Sequence, residues 1–184
     1  MKNIFKYILI ALFGLWSVTA TQAQDNRTTN TKVADILAQF PAKDMNSSDQ
    51  LIQEIIELGE EGITLFCNMI VPPGTGDDTQ ARYAIESLAV YSGAPGREEN
   101  RKLVEGVLLK AIEKASDKEV KAFFTRRLTF CGKDESITLL SRLLNDDKLY
   151  SPAVAVLTTI GSDKAASEML SQLTKTSGEK QIAL

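Results

Sequence analysis

The side chains able to do chemistry in this chain are few and scattered. There is no histidine, so the side chain that most readily shuttles protons near neutral pH is missing. No serine stands in a nucleophile-elbow sequence. Two acidic pairs, Asp77-Asp78 and Asp146-Asp147, fall between apolar stretches. A calcium loop needs about six to eight oxygen ligands at a defined loop spacing, and neither segment supplies them. Both pairs read instead as helix starts, where the macrodipole favours negative charge. Gly74-Thr75-Gly76 lacks the lysine and the length of a phosphate-binding loop. The composition leaves one hydrolytic arrangement open, a carboxylate pair brought together from distant helices. The sequence assigns no catalytic, cofactor-binding or metal-ligating residue and implies no cofactor.

The remaining candidates concern binding. Arg126 and Arg127, with Lys121, could grip an acidic ligand. At a helix end before Gly132 the same arginines also complement the dipole. Tyr83 and Tyr91 are eight residues apart and fall on similar faces of a helix. With Tyr150 they could line a concave ligand surface, although partial burial is the simpler expectation. Phe123, Phe124 and Phe130 read as core. Cys67 and Cys131 stand in apolar helical text. A disulfide requires Cα atoms within about 7 Å, and packed helices lie about 10 Å apart. Two buried, unpaired thiols are expected.

Helices must position these residues. Residues 1–23 are read as a secretory signal peptide: Lys2 and Lys6 precede the apolar run 7–18, and Thr21-Gln22-Ala23 is a small-residue cleavage site. That run falls short of the roughly 20 residues a bilayer span needs. Removing Lys2 and Lys6 takes the net charge from −3 to −5. An acidic chain without a basic stripe implies no nucleic-acid partner. Export implies a periplasmic or secreted protein with no membrane association after cleavage. Residues 24–30 read as a flexible leader, and 31–184 as one domain.

Within that domain apolar residues recur at helical spacing. Helices are expected over 31–40, 49–58, from Glu60 on, from Asp78 or Thr79 to about Tyr91, over 98–115, from Ser116 to Cys131, and over 135–144, 151–160 and 164–173. Ser47…Gln50 and Ser116…Glu119 have the spacing of capping boxes, and Ser151-Pro152 that of an N-cap followed by a first-turn proline. After Gly178 a further helix begins, with Ile182, Ala183 and Leu184 left uncovered. No strand-like alternation occurs.

The helices repeat. Stops at Gly132 and Gly161 are 29 residues apart, about one helix–turn–helix unit. Ile63-Thr64-Leu65-Phe66…Met69-Ile70 matches Ile137-Thr138-Leu139-Leu140…Leu143-Leu144 at a spacing of 74. A third helix places Ala166, Met169 and Leu173 at the equivalent positions. The expected fold is all-α, with antiparallel helical hairpins stacked as a short HEAT/armadillo-like solenoid.

The order helix, glycine, acidic cap, helix, followed by alanine-rich text such as Pro152-Ala153-Val154-Ala155-Val156-Leu157, resembles HEAT-type repeats of the phycobilisome-lyase-like subtype. Gly59-Glu60-Glu61-Gly62, residues 83–96 and Lys121-Ala122-Phe123 resemble the N-terminal helical region of large secreted bacterial proteins that carry a 3-keto-disaccharide hydrolase-like domain. That resemblance implies a carbohydrate-related setting and transfers no catalytic residue, because the β-sandwich domain is absent from this sequence. The function expected is a non-catalytic scaffold or protein-interaction module. The alternative is an accessory that binds or processes carbohydrate. The candidate surface comprises Tyr83, Tyr91, Arg126, Arg127, Ile182 and Leu184. The expected partner, a protein or further domains of a parent chain, would dock at the C-terminal end.

Overall fold

A computed structural model describes Asp25 and residues 27–173. Within them the chain is helical throughout, with no strand. The nine α-helices are α1 (Thr29–Leu37), α2 (Met45–Glu57), α3 (Gly59–Asn68), α4 (Thr79–Ser92), α5 (Glu98–Lys114), α6 (Lys118–Cys131), α7 (Ile137–Leu143), α8 (Tyr150–Ile160) and α9 (Asp163–Leu173). A 3-10 turn, Asp134–Ser136, leads into α7.

Each helix exists because one stripe must be removed from water. In α2 the buried residues are Leu51, Ile52 and Ile55, a spacing that returns to one face every turn. In α5 they are Val104, Glu105, Val107, Leu108 and Ile112. Burying each aliphatic side chain is worth about 1.5–3 kcal/mol. No single helix can cover its own stripe, so neighbours do. Helices adjacent in the chain pack together from α1 to α6 and from α7 to α9, and so do most helices two apart: α1 with α3, α2 with α4, α3 with α5, α4 with α6, α6 with α8 and α7 with α9. One continuous core results, running from Val33 to Ala165.

Specific pairs fix the direction of α4 and α6. Arg82 lies over the Phe123 ring, Glu86 pairs with Arg127, and Gly93 abuts Phe130. Both partners advance together, so the two helices run parallel. The closeness at the last point is set by glycine, since a Cβ on Gly93 would sit 2.0 Å from the Phe130 carbonyl oxygen.

Three of the pairs 74 apart are buried alike, whereas Leu65 and Met69 are half-buried and their counterparts Leu139 and Leu143 are buried. Ile63 and Ile137, Phe66 and Leu140, and Ile70 and Leu144 are all buried. Helix starts differ from expectation. α2 begins at Met45, capped by Asp44, whose carboxylate accepts the Ser47 N–H at 2.8 Å. α6 is capped by Asp117, which accepts the N–H groups of Glu119 and Val120. In both cases an aspartate competes with the nearby serine and, being charged, accepts the stronger bond. Pro152 falls inside the first turn of α8, which starts at Tyr150. Gly59 does not end α2. It opens α3 in the left-handed conformation, φ +64°, and so turns the chain between two helices with no intervening loop.

Two faces also differ. On α9 the buried residues are Ala165 and Gln172, whereas Ala166 is exposed, so the inward stripe is turned by one residue. Phe130, expected in the core, is 45% exposed, because it falls on the same face of α6 as the exposed Glu119 and Arg126. Cys67 and Cys131 are buried free thiols.

Candidate interaction surface

The loop between α3 and α4 carries Val71-Pro72-Pro73-Gly74, and a carboxylate shapes it. Asp78 accepts the Val71 N–H at 3.0 Å and the Arg82 Nε–H at 2.7 Å. Arg82 also donates to the Val71 carbonyl at 3.3 Å. The loop is therefore clasped at both ends of one residue. The Arg82 guanidinium holds the Asp78 carboxyl below the usual carboxylate range against burial, and the Val71 N–H adds to this. Asp77 accepts the Thr79 N–H at 3.0 Å, as a helix-start residue should. Val71, Pro72, Pro73, Gly74, Glu119 and Arg126 border a cleft of ≈ 330 Å³ beside this loop.

Above the loop, α4 and α6 share a row of guanidinium–ring contacts. Arg82 stands 4.6 Å from the Phe123 centroid and Arg127 5.0 Å from it. Arg127 also lies 6.0 Å from the Phe130 centroid. Arginine cations favour such faces. Arg127 is 14% exposed and its Nη1 is 2.6 Å from Glu86 Oε2. Its Nε has no hydrogen-bond partner among the described residues, so the Glu86 charge and the rings hold it.

The rim of this row is apolar and faces solvent. Tyr83 and Val90 on α4 are each 49% exposed, and they lie on one face at a two-turn spacing. Phe130 on α6, whose backbone lies against Gly93 at the end of α4, is also exposed. Of the expected surface residues, the structure brings Tyr83, Arg126 and Arg127 to the α4–α6 side. Tyr91 lies apart at the end of α4, beneath Arg97, whose guanidinium is 3.3 Å from its ring, and it accepts from Gln53 at 3.2 Å. Tyr150 is buried, so the three tyrosines form no common surface. Ile182 and Leu184 lie outside the described residues, as does the segment 1–23.

A second polar cluster was not legible as a site. Glu105, 1% exposed, pairs with Arg101 one turn earlier. Its Oε1 accepts the Lys133 N–H at 2.8 Å and the Ser136 hydroxyl at 2.6 Å. Arg101 also reaches the Cys131 carbonyl at 3.4 Å. Both carboxylate oxygens are engaged, so the group ties the α6–α7 connection to α5. The available signal was phase: Arg101 and Glu105 fall in the same stripe as Leu108 and Ile112.

Cys67 borders a second cleft, of ≈ 210 Å³, with Lys114 and Asp117. Burial pushes its thiol up to about 12. Burial, with the Glu105 charge adding, does the same to Cys131. Neither is an activated nucleophile. Among the described residues no cluster of three or more histidine, cysteine, aspartate or glutamate side chains could hold a metal. No described helix is long and apolar enough to cross a membrane. No protein-family model, no curated protein and no solved structure matches the chain.

Proposed function

We propose that the chain is an exported, non-catalytic α-solenoid scaffold of stacked HEAT-like hairpins, and that the α4–α6 face docks a protein. The single observation behind this reading is that face itself. Tyr83, Val90 and Phe130 present apolar surface to water around an arginine already fixed between Glu86 and two rings. Exposed aromatic and arginine groups held in place lose little entropy on binding, which suits them to anchor an interface. The solenoid part is supported by packing between helices one and two apart in the chain, as nearest-neighbour stacking demands. The 74-residue correspondence of α3 with α7 in burial also supports it. The two exposed rings are what favours the carbohydrate reading; an unshifted melting temperature with disaccharides and oligosaccharides would remove it.

The test is site-specific photocrosslinking. A photoreactive side chain at Val90 or Phe130, in cells producing the full chain, should yield one discrete adduct. The same group at Lys110 or Glu113 on α5 should not. Equal labelling from both sets, or none from the first, overturns the reading.

A further inference from the structure

A cleft of ≈ 530 Å³ lies between the segment that follows α1 and the first part of α2. Small-ligand sites usually measure about 300–1,000 Å³. α2 contributes Ser47, Gln50 and Glu54 to it. These follow at three- and four-residue intervals and so share one face of the helix. The connecting segment contributes Gln39, Pro41 and Lys43. Phe40 and Leu51 also border the cleft but are only 3% and 5% exposed, so little apolar surface is on offer. Recognition there must be polar.

The charges of the cleft are uncommitted. Lys43 and Glu54 are both exposed, and neither side chain has an ion pair or hydrogen bond among the described residues. The Gln50 amide is equally open and offers donors and an acceptor. Gln39 donates its amide N–H to the Asp35 carbonyl at 3.0 Å and keeps its amide oxygen. Lys43 precedes Asp44, the cap of α2, so it stands at the start of the helix. The rise from Met45, the first helical residue, to Glu54 is about 13.5 Å. The two long side chains can shorten that span between them. An extended peptide covers at most about 3.3–3.6 Å per residue, so three residues bridge the remaining distance of about 10 Å.

We infer that this cleft binds a peptide of about three residues with both ends free, its carboxylate on Lys43 and its ammonium on Glu54. The peptide groups between those ends present what the Gln39 oxygen and the Gln50 amide can meet. The ligand is read through its main chain and its termini, because the apolar border is nearly closed. A neutral ligand such as a sugar would leave both charges unmatched. A single amino acid carries its charges too close together to reach both. The cleft does not involve the α4–α6 face, so the docking reading stands or falls without it.

Calorimetric titration of the full chain tests this. Trialanine should bind weakly, in the millimolar range. N-acetyl-trialanine and trialanine amide should each bind about fivefold more weakly, as loss of one solvent-exposed ion pair predicts. Free alanine and a neutral disaccharide should give no binding heat. Glu54→Gln should bind trialanine and its N-acetyl form equally, and Lys43→Gln should bind trialanine and its amide equally. Both side chains are exposed, so the helical circular dichroism of the variants should match the parent's. No binding of trialanine, equal binding of all three peptides by the parent chain, or an end-blocking penalty that persists in the matching variant overturns the inference. Binding of the disaccharide in place of trialanine also overturns it and assigns the cleft to neutral ligands.

Discussion

The Ser136 hydroxyl donates to Glu105 Oε1 at 2.6 Å across 31 residues of chain. This bond, with the Lys133 N–H and the Arg101 guanidinium, fastens α5 to the turn that starts α7. Truncating Glu105 would leave Arg101, 12% exposed, with only the longer ionic contact to Glu135 at 3.8 Å. Removing one partner of a buried pair costs about 3–5 kcal/mol. Glu105→Ala should therefore lower the urea midpoint severely. Ser136→Ala should cost about 1–2 kcal/mol, since it deletes a single hydrogen bond to a charged group. Equilibrium unfolding of both variants, with unchanged denaturant slope, checks the order. Equal costs would mean that Arg101 and Lys133 contribute nothing through Glu105.

Two helix-associated glycines should respond in opposite directions to alanine. A Cβ on Gly93 would meet the Phe130 carbonyl carbon at 2.9 Å and its oxygen closer still. The obstacle is backbone, so α4 and α6 must separate, and Gly93→Ala should destabilise by more than about 2 kcal/mol. A Cβ on Gly106, inside α5, meets nothing within 4 Å. There alanine gains helix propensity, and Gly106→Ala should stabilise by roughly 0.5–1 kcal/mol. Thermal melts of the two variants decide; a destabilised Gly106→Ala would show that α5 needs bare backbone at that point.

The parts of this architecture that the sequence makes plain are those where several residues agree. In α3 and α7 and the residues just after them, three pairs repeat at one spacing, and all six side chains are buried. Termini are harder to place, because two capping solutions lie side by side. Asp44 and Ser47, or Asp117 and Ser116, both satisfy the pattern, and only the backbone geometry selects the aspartates. α9 has too few apolar residues to fix its phase. Met169 suits either face, and the position that packs inward, 172, is a glutamine. Phe130 and Phe123 are both aromatic and seven apart, yet Arg82 and Arg127 cover one and leave the other half open. Such cover depends on a second helix, which local pattern does not encode. Glu105 was hidden for the converse reason: its partners lie about thirty residues downstream, beyond any helical period.

The thiols give a pH dependence of definite sign. Both are pushed up to about 12 from an ordinary 9.0. Below pH 9 they are protonated in both folded and unfolded chains. Between about 9 and 12 the unfolded chain loses these protons while the folded one keeps them. The unfolded state then binds fewer protons, so stability falls as pH rises through that window. The same protonation makes the native thiols slow toward a disulfide reagent at pH 8, since the thiolate is the reactive form. Rapid release of two equivalents should appear only in denaturant. A Cys67→Ala, Cys131→Ala chain should lose part of the alkaline decline; an identical decline in that chain would assign it to other groups.

At the acid end the corresponding group is Asp78, whose carboxyl Arg82 holds below its ordinary 3.8. A depressed folded value means that its contribution is present above the ordinary carboxylate range and is lost as pH falls through the folded value. Asp78→Asn keeps a side-chain acceptor for the Val71 N–H but deletes the charge facing Arg82, a side chain that is 12% exposed at the carboxylate and about a third exposed at the guanidinium. The variant should be less stable by about 1 kcal/mol at neutral pH, in line with a partly screened pair. It should also show a shallower loss of stability below pH 4. Because the cleft beside the loop is bordered by Asp78 and Arg82 as well as Glu119 and Arg126, loosening the clasp should also increase proteolytic cutting near Gly74 and Gly76. Urea midpoints measured across the acid range, with limited proteolysis alongside, test the two consequences together. An acid profile parallel to that of the parent chain would show that the Asp78–Arg82 pair does not hold the loop.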